Sequence, residues 1–416
     1  MTHNDLAEVL RQHVKILSER YPNRFAGEPQ EKEAGEYIRS KFEEYDLVSE
    51  LFEVPVMGWE VTKEPKLEIV APENKEIECA PFIFSGSTPG EGIRGELKFV
   101  GETTVLGSSE YEKFALCDPE TDRWRGFIVG NRSGPACAQP GPPSGFDFTR
   151  NGPHYTWPCC FVGNKDLIEI REWLERHKKV EVIYSVKTRF KPDSTSCFVE
   201  ARIDGTGCGK RRLIIGGHHD SMGAKGFPLA INSPGAMDNA SGVAVVLELA
   251  KFYREKGCQK GLTFCTFGGE ERNFLMSSEY VRIYKEKGEL SRYDCCLIVD
   301  GAAKGKILRL ISSSPDDKVS PKIDLQEMVS SALKELSLGG KHSEYPIRRI
   351  SPPPPRSDEW PFWVAGVPVF RACWTQDYGD TYHRKGDTLE YCNEDQKFLF
   401  VFEIYKRMIE KLSELT

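Results

Sequence analysis

The sequence lacks long apolar runs and dense clusters of basic residues. No stretch is apolar over the roughly 20 residues that a membrane-spanning helix needs, and the opening residues, Met-Thr-His-Asn-Asp, lack the basic start and apolar run of a secretory signal. A soluble, cytoplasmic protein is therefore expected. The net charge of −7 and the absence of a basic cluster argue against nucleic acid or an anionic membrane as a partner, so small substrates are the expected partners.

The cysteines also lack a recognisable framework. There are 13 of them, an odd number, and they are scattered without the paired spacing of a cysteine-bound metal site. The adjacent pairs Cys159-Cys160 and Cys295-Cys296 lie in apolar contexts that suit buried thiols. The sequence therefore predicts no disulfide framework.

The length and texture of the chain predict two bodies. A chain of 416 residues, 39% of them hydrophobic, exceeds the size at which one hydrophobic core usually stops growing. Apolar residues at helical spacing predict helices over 6–20 and 30–45. Short β-branched or aromatic runs separated by Gly, Pro, Asn and Asp follow, interrupted by a predicted helix over 164–177. We therefore expect a β-rich insert over 56–189 within a main domain formed by 1–55 and 190–416.

In the second half of the chain, predicted strands alternate with predicted helices. The strands cover 197–203, 212–216, 262–267, 295–299 and 367–372, and the helices cover 241–256, 324–336 and 394–412. Short apolar runs of this kind are typical of strands that are covered on both faces. The sequence thus predicts an α/β fold with a central, mostly parallel mixed sheet and helices on both faces.

Side chains that can bind metal directly follow the predicted strands. His218 follows the strand over 212–216, Glu270 and Glu271 follow the next, Asp300 follows the strand over 295–299, and His383 follows the last strand after a loop. Open α/β sheets bind ligands beyond the carboxyl ends of their strands, so these side chains are expected to converge.

Several of these residues have an ordinary explanation when taken alone. Asp238 precedes a predicted helix and could be a helix cap, and His383 could be a loop histidine. The adjacent carboxylates of Glu270 and Glu271 are harder to explain, because they repel each other unless a cation or a proton compensates. A mixture of imidazole and carboxylate favours zinc, whereas ligands that were all oxygen would favour magnesium or calcium.

At these residues the sequence resembles the co-catalytic zinc exopeptidases (clan MH), which include bacterial aminopeptidases and glutamate carboxypeptidase. The matching segments are Gly216-Gly217-His218-His219-Asp220-Ser221, 234–242 with Asp238-Asn239, 267–271 with Glu270-Glu271, Asp300, Ser357-Asp358, and Tyr382-His383 with Asp387-Thr388. The resemblance covers roughly the first 55 residues and everything after about residue 190. It implies a metallopeptidase that removes terminal residues from short peptides.

The resemblance implies two zinc ions per chain. His218 and Asp300 would hold one ion and Glu271 and His383 the other, with the Asp238 carboxylate bridging both. In relatives the peptide bond that follows this bridging aspartate is cis.

The resemblance also implies roles for residues that do not bind the metal. Asp220 would accept the imidazole N–H of His218 and fix its tautomer, and Glu270 would be the general base. Tyr382 resembles the tyrosine that some relatives use to stabilise the oxyanion, with a packing role as the alternative.

The predicted site loops are acidic, which favours an aminopeptidase. Five acidic residues outnumber three arginines there: Asp300, Asp358, Glu359, Asp377 and Asp380 against Arg356, Arg371 and Arg384. A carboxypeptidase would need cationic groups for the terminal carboxylate of its substrate. The α-amino group of a peptide is the better match, and Glu359, which stands where many relatives carry histidine, is its predicted partner.

Three alternatives remain open on the same scaffold. One is a carboxypeptidase, another is a glutaminyl cyclase-like enzyme with a single zinc ion, and the third is an inactive metal-binding relative. The insert resembles a protease-associated domain in its last third, over 157–186, and is expected to border the mouth of the site.

Overall fold

The computed structural model describes residues 3–105, 108–132, 134–137, 157–177, 179–207, 209–315, 324–338, 345–376 and 379–415. Its helices are α1 (His3–Lys15), α2 (Pro29–Glu44), α3 (Asn164–Arg176), α4 (Ser241–Lys256), α5 (Leu275–Glu286), α6 (Leu325–Leu338), α7 (Glu359–Val364) and α8 (Asp395–Ser413). Its strands are β1 (Ser49–Ala71), β2 (Lys75–Ile77), β3 (Cys79–Pro81), β4 (Ile93–Val105), β5 (Ser108–Cys117), β6 (Trp124–Asn131), β7 (Cys159–Val162), β8 (Glu181–Ile203), β9 (Arg212–His218), β10 (Gly261–Phe267), β11 (Tyr293–Val299), β12 (Leu308–Ser313), β13 (Ile347–Ile350) and β14 (Val369–Trp374). A π-helical turn, Ile16–Arg20, follows α1, and a kinked segment, Ala236–Ala240, in which Asp238 and Asn239 have non-helical backbone angles, precedes α4.

Within the described residues, the strands form one 14-stranded mixed sheet. Its order is β13-β12-β14-β11-β9-β10-β8-β4-β5-β6-β7-β3, and β1 pairs with both β2 and β8. The centre of the sheet, β10-β9-β11-β14, is parallel, whereas β8 and β12 run antiparallel to β10 and β14. This arrangement confirms the predicted α/β class with a mixed sheet whose central strands are parallel.

Helices cover both faces of the central strands because successive side chains of a strand point to opposite faces. Leu213 and Ile215 of β9 belong to a buried cluster that includes residues of α1, α2, α4, α6 and α8. Ile214 belongs to a second cluster with residues of α5 and α7. Each fully buried aliphatic side chain of this kind stabilises the fold by about 1.5–3 kcal/mol relative to exposure, so the central strands are fixed from both sides.

The two longest strands connect the α/β part to the insert. β1 and β8 pair antiparallel along their length, from Ser49 opposite Ala201 to Ala71 opposite Glu181. One end of β8 pairs with β10 and the other with β4, so a single sheet continues from one part into the other. The predicted boundaries at 55 and 190 fall inside these strands, and the division into two domains stays a prediction.

The insert has its own buried cluster and also packs against the α/β part. One cluster within the insert joins β4–β8 to α3 and includes Trp173 of that helix. Another cluster spans both parts: it brings Trp59 and Phe82 of the insert together with Met222 and Phe227, which follow β9. The insert is therefore packed against the segment that follows the first predicted zinc ligand.

Among the helices that the structure describes, none combines the length and apolar composition of a membrane span.

Candidate metal centre

The parallel strands bring the predicted metal ligands to one edge of the sheet. His218 is the last residue of β9, Glu270 and Glu271 lie in a short turn after β10, and Asp300 follows β11. The strands approach closely at Gly217, where a Cβ atom would lie 2.4 Å from the carbonyl oxygen of Val299. Glycine at this position allows the strands that carry His218 and Asp300 to lie side by side.

Among the described residues, two groups of donor atoms lie close enough together to hold a metal ion. One group contains His218, Glu270 and Asp300, and within it the donor atoms lie within 4.8 Å of one another. The other contains Asp238, Glu271 and His383 and meets the same limit. All five predicted ligands and the predicted base therefore lie in these two groups.

Asp238 connects the two groups through its two carboxylate oxygens. Its Oδ1 lies 3.1 Å from Nε2 of His218, and its Oδ2 lies 3.7 Å from Nε2 of His383. His383 Nε2 also lies 3.0 Å from Oε2 of Glu271, and His218 Nε2 lies 3.8 Å from Oδ1 of Asp300. Each imidazole thus faces one oxygen of Asp238 and one further carboxylate. The peptide bond between Asp238 and Asn239 is cis, as the resemblance implies.

The carboxyl groups of the centre are buried together, and this perturbs their protonation. Burial raises the pKa of Glu270 well above its ordinary value; His218 partly offsets this, and Glu271 adds to it. Burial also raises the pKa of Glu271, which His383 partly offsets. Burial acts on Asp300 in the same direction, but the neighbouring His218 and the charge of Arg371 hold its pKa below the ordinary value. The centre therefore concentrates acidic groups that a bound cation would stabilise in their ionised form.

The donor set fits zinc. Oε1 of Glu271 is buried and has no hydrogen-bond partner among the described residues. A buried carboxylate oxygen without a donor is costly unless a cation binds it. Two imidazoles together with carboxylates are a typical zinc donor set.

Asp220 contacts both the imidazole of His218 and the turn that carries the two glutamates. Its Oδ1 lies 3.3 Å from Nδ1 of His218, on the side of the ring opposite the other ligands. The same carboxylate accepts hydrogen bonds from the backbone N–H groups of Glu270, at 3.1 Å, and Glu271, at 3.2 Å. One side chain therefore contacts the ring of His218 and hydrogen-bonds to the Glu270-Glu271 turn.

Two donors hold the carboxylate of Asp300. Ser357 Oγ and Arg371 Nη1 each lie 2.7 Å from its Oδ2. The opposite oxygen, Oδ1, faces His218. These contacts orient Asp300 with one oxygen toward the other predicted ligands.

The turn that carries Asp238 is held by two further side chains. The Asp387 carboxylate accepts hydrogen bonds from the backbone N–H groups of Met237, at 2.6 Å, and Asp238, at 3.1 Å. The Asn239 amide donates to the carbonyl of Val299, at 2.9 Å, and its oxygen accepts from the N–H of Gly301, at 3.0 Å. Asn239 therefore ties the Asp238 turn to the end of β11.

The structure places Glu359 and Tyr382 in different environments. Glu359 is fully buried, and its Oε1 lies 3.0 Å from Nε of Arg371, the arginine that donates to Asp300. Among the described residues, Arg371 joins Glu359 to the centre, and the predicted role of Glu359 in binding the substrate gains no support from this position. Tyr382 stacks on the His383 ring, with 3.9 Å between the centroids. Asp377, another of the predicted acidic residues, lies outside the described residues.

Two buried arginines near the centre were missed or misjudged in the sequence. Arg24 is fully buried and donates to five carbonyl oxygens at 2.6–3.1 Å, those of Leu17, Tyr21, His219, Pro234 and Gly235. Nothing in the local sequence marks it, because three of these partners are about 200 residues away. Arg371 had a signal, since it is a charged residue within an otherwise apolar predicted strand.

Comparison with known proteins gives a match over the segment that carries these residues. Residues 199–398 match the model of peptidase family M28. A probable zinc metalloprotease of Pyrenophora tritici-repentis is 34% identical over 87 residues, which are 21% of this chain and 20% of that protein. Aminopeptidase YwaD of Bacillus subtilis is 28% identical over 194 residues, which are 44% of this chain and 37% of that protein. The chain thus spans well under half of the length of these relatives.

A solved structure resembles the whole chain. The aminopeptidase from Aneurinibacillus sp. strain AM-1 aligns with a TM-score of 0.69 at 22% identity, over 97% of this chain and 93% of that one. At this level of identity the likeness shows a shared fold, which agrees with the predicted α/β architecture.

Proposed function

We propose that the chain is a zinc-dependent aminopeptidase of peptidase family M28, whose model matches residues 199–398, in line with the resemblance to zinc exopeptidases. The observation that carries the proposal is the pair of donor groups joined through Asp238. In this proposal His218 and Asp300 hold one zinc ion, Glu271 and His383 hold a second, and Asp238 bridges them. The substrate is a short peptide, and the product is its N-terminal residue.

Zinc ions bound at this centre would polarise the scissile carbonyl and lower the pKa of the attacking water. Glu270 lies in the donor group of His218 and Asp300, and in the proposal it is the general base that takes the proton of this water and later gives it to the leaving amine. The position of Glu270 suits this role, because it lies beside His218 and Asp300 and is not itself a proposed ligand. Asp220 keeps His218 and the Glu270 turn in position.

Two of the three arginines of the predicted site loops support action at the amino end of the peptide. Arg371 already contacts Asp300 and Glu359, and Arg384 contacts Glu78 and Asp380. Carboxylates of the protein thus already engage both cations, which leaves them poorly suited to the terminal carboxylate of a substrate. The name of the matched Bacillus subtilis protein, aminopeptidase YwaD, points the same way.

Two further parts of the proposal concern access and location. The insert packs against the segment after β9, and we propose that it restricts the site to short peptides. The proposal includes a cytoplasmic location, since a reducing compartment suits 13 cysteines whose spacing predicts no disulfide framework.

Blocking either end of a peptide tests which end is cleaved. We expect zinc-loaded protein to cleave free peptides and C-terminally amidated peptides at similar kcat/KM, and N-acetylated peptides poorly. Each reaction is followed by mass spectrometry of the products. Efficient cleavage of the acetylated peptide, with loss of activity on amidation, would show a carboxypeptidase instead. Conversion of N-terminal glutamine to pyroglutamate would favour the cyclase alternative.

The two adjacent glutamates provide a matched pair of variants for the proposed roles. Glu270→Gln should keep its zinc and lose about 10²-fold or more in kcat, because it removes proton transfer but no proposed ligand. Glu271→Gln should lose zinc as well as activity. Zinc content by elemental analysis and kcat with one peptide are measured on both, and the reverse pattern would mean that base and ligand are exchanged.

A further inference from the structure

The loop that carries His383 is held from two sides. On the side of the α/β part, Asp387 accepts hydrogen bonds from the backbone of Met237 and Asp238. On the other side, Arg384, the residue after His383, extends to the insert. His383 itself has a φ of 54°, which few residues other than glycine adopt. Its backbone conformation therefore depends on the contacts of its neighbours.

Arg384 makes three contacts with its guanidinium group. Nη2 lies 2.9 Å from Oε1 of Glu78, which lies between β2 and β3 of the insert. Nη1 donates to the carbonyl of Ala136, which follows β6 in the insert. Nε lies 3.1 Å from Oδ1 of Asp380, in the same loop as His383. The planar guanidinium group, with its several N–H donors, thus joins two segments of the insert to the His383 loop.

The contact with the carbonyl of Ala136 is better protected from water than the ion pair. The Arg384 side chain is 8% exposed, whereas that of Glu78 is 51% exposed. A half-exposed ion pair is weakened by solvent and salt. A buried hydrogen bond from a charged donor contributes more. Loss of Arg384 should therefore disturb the loop more than loss of the Glu78 charge.

We propose that Arg384 is a positioning residue through which the insert fixes His383 in the zinc site formed with Asp238 and Glu271. This inference rests on the proposed function, because it assigns His383 to a zinc ion. Ligand atoms must be placed within a few tenths of an ångström for tight binding, so a loop that moves loses affinity for its ion. The insert then contributes to metal affinity as well as to access.

Zinc titration of four variants tests the coupling. Arg384→Ala removes all three contacts. Arg384→Lys keeps the charge but lacks the several N–H donors of the guanidinium group, and Glu78→Gln removes only the ion pair. Arg94→Ala is the matched control, since Arg94 pairs with Glu181 within the insert, at 2.8 Å. Zinc affinity is measured by competition with a chelator, and the thermal unfolding of each zinc-free protein is recorded beside it.

We expect Arg384→Ala to weaken one of two zinc-binding steps by about 10- to 100-fold, the range seen when partners of metal ligands are removed. The other step and the zinc-free stability should match those of Arg94→Ala, Arg384→Lys should be intermediate, and Glu78→Gln should have the smallest effect. Equal zinc binding in Arg384→Ala and Arg94→Ala would overturn the coupling, as would an equal loss at both steps together with an unstable zinc-free protein.

A wild-type protein that binds one zinc ion would contradict the proposed two-zinc function separately. The comparison of Arg384→Ala with Arg94→Ala would then decide the coupling for that one ion: weaker binding in Arg384→Ala would support it, and equal binding would overturn it.

Discussion

Glu31 is a buried acid outside the proposed chemistry, and its environment predicts how stability depends on pH. It lies in the first turn of α2 and is fully buried. One carboxyl oxygen accepts a hydrogen bond from the N–H of Gly27, at 2.8 Å, and the other contacts the hydroxyl of Ser196. Burial raises the pKa of Glu31 from 4.5 to about 8, and the charge of Asp220 adds to this.

The sign of the effect follows from the two states of the chain. Between pH 4.5 and about 8, the unfolded chain ionises Glu31 while the folded chain keeps it protonated. Rising pH therefore favours the unfolded state over this window, and the stability present below pH 4.5 is progressively lost as pH rises toward 8. At one pKa unit per 1.4 kcal/mol, the loss reaches about 3 kcal/mol by pH 7.

Replacement of Glu31 by glutamine removes this ionisation and keeps groups that can bond to both neighbours. Relative to wild type, Glu31→Gln should gain about 2–3 kcal/mol in free energy of unfolding between pH 5 and pH 7. Urea unfolding followed by circular dichroism measures the difference at each pH, and Glu33→Gln, on the exposed side of the same helix, is the control. A difference between Glu31→Gln and wild type that is the same at both pH values would refute the reasoning.

Three further predictions concern the surroundings of the centre. Asn239→Ala removes the side-chain hydrogen bonds to the buried carbonyl of Val299 and the N–H of Gly301 and should cost about 3 kcal/mol in thermal unfolding; a cost below about 1 kcal/mol would show that other groups hold the two loops. Tyr382→Phe should lower kcat by roughly 10²-fold with zinc content unchanged, whereas unchanged kcat would assign Tyr382 to packing. Limited proteolysis should cut the insert over 56–189 first, at Gly-Pro-rich segments such as 139–145, which lie outside the described residues; earlier cleavage of the α/β part would show that the boundary is misplaced.

The parts of the fold that local sequence determines were predictable. The predicted helix over 241–256 coincides with α4, and the predicted strands over 262–267 and 295–299 lie within β10 and β11. Continuous apolar runs and an amphipathic spacing identify such elements without tertiary information. The residues after these strands were predictable for the same reason, because a parallel sheet brings strand ends together.

The elements that were missed depend on contacts between distant parts of the chain. β13 is an exposed four-residue strand, Ile-Arg-Arg-Ile, that forms by pairing with β12. α5 was missed although Met276, Tyr280 and Tyr284, buried at four-residue spacing, form a helical pattern. The full length of β1 and β8 was also missed, because their bulged pairing joins residues as far apart as 49 and 201.

The roles of the supporting residues were missed for a similar reason. Asn239 stands within a recognised motif, but its bonds to Val299 and Gly301 appear only when β11 lies beside the Asp238 turn. Arg384 was counted as a cation near the site, whereas its contacts with Glu78 and Ala136 show that it joins the His383 loop to the insert. Sequence patterns identify side chains that can bind metal, and the folded chain determines which side chains hold them in place.

The number of zinc ions per chain tests the central proposal most directly. Metal-free protein titrated with zinc, with bound metal quantified by elemental analysis and peptide hydrolysis measured at each step, should take up two ions and reach full activity only near the second. The expectation follows from the two donor groups that share Asp238. Full activity with a reproducible single ion would contradict the two-zinc centre.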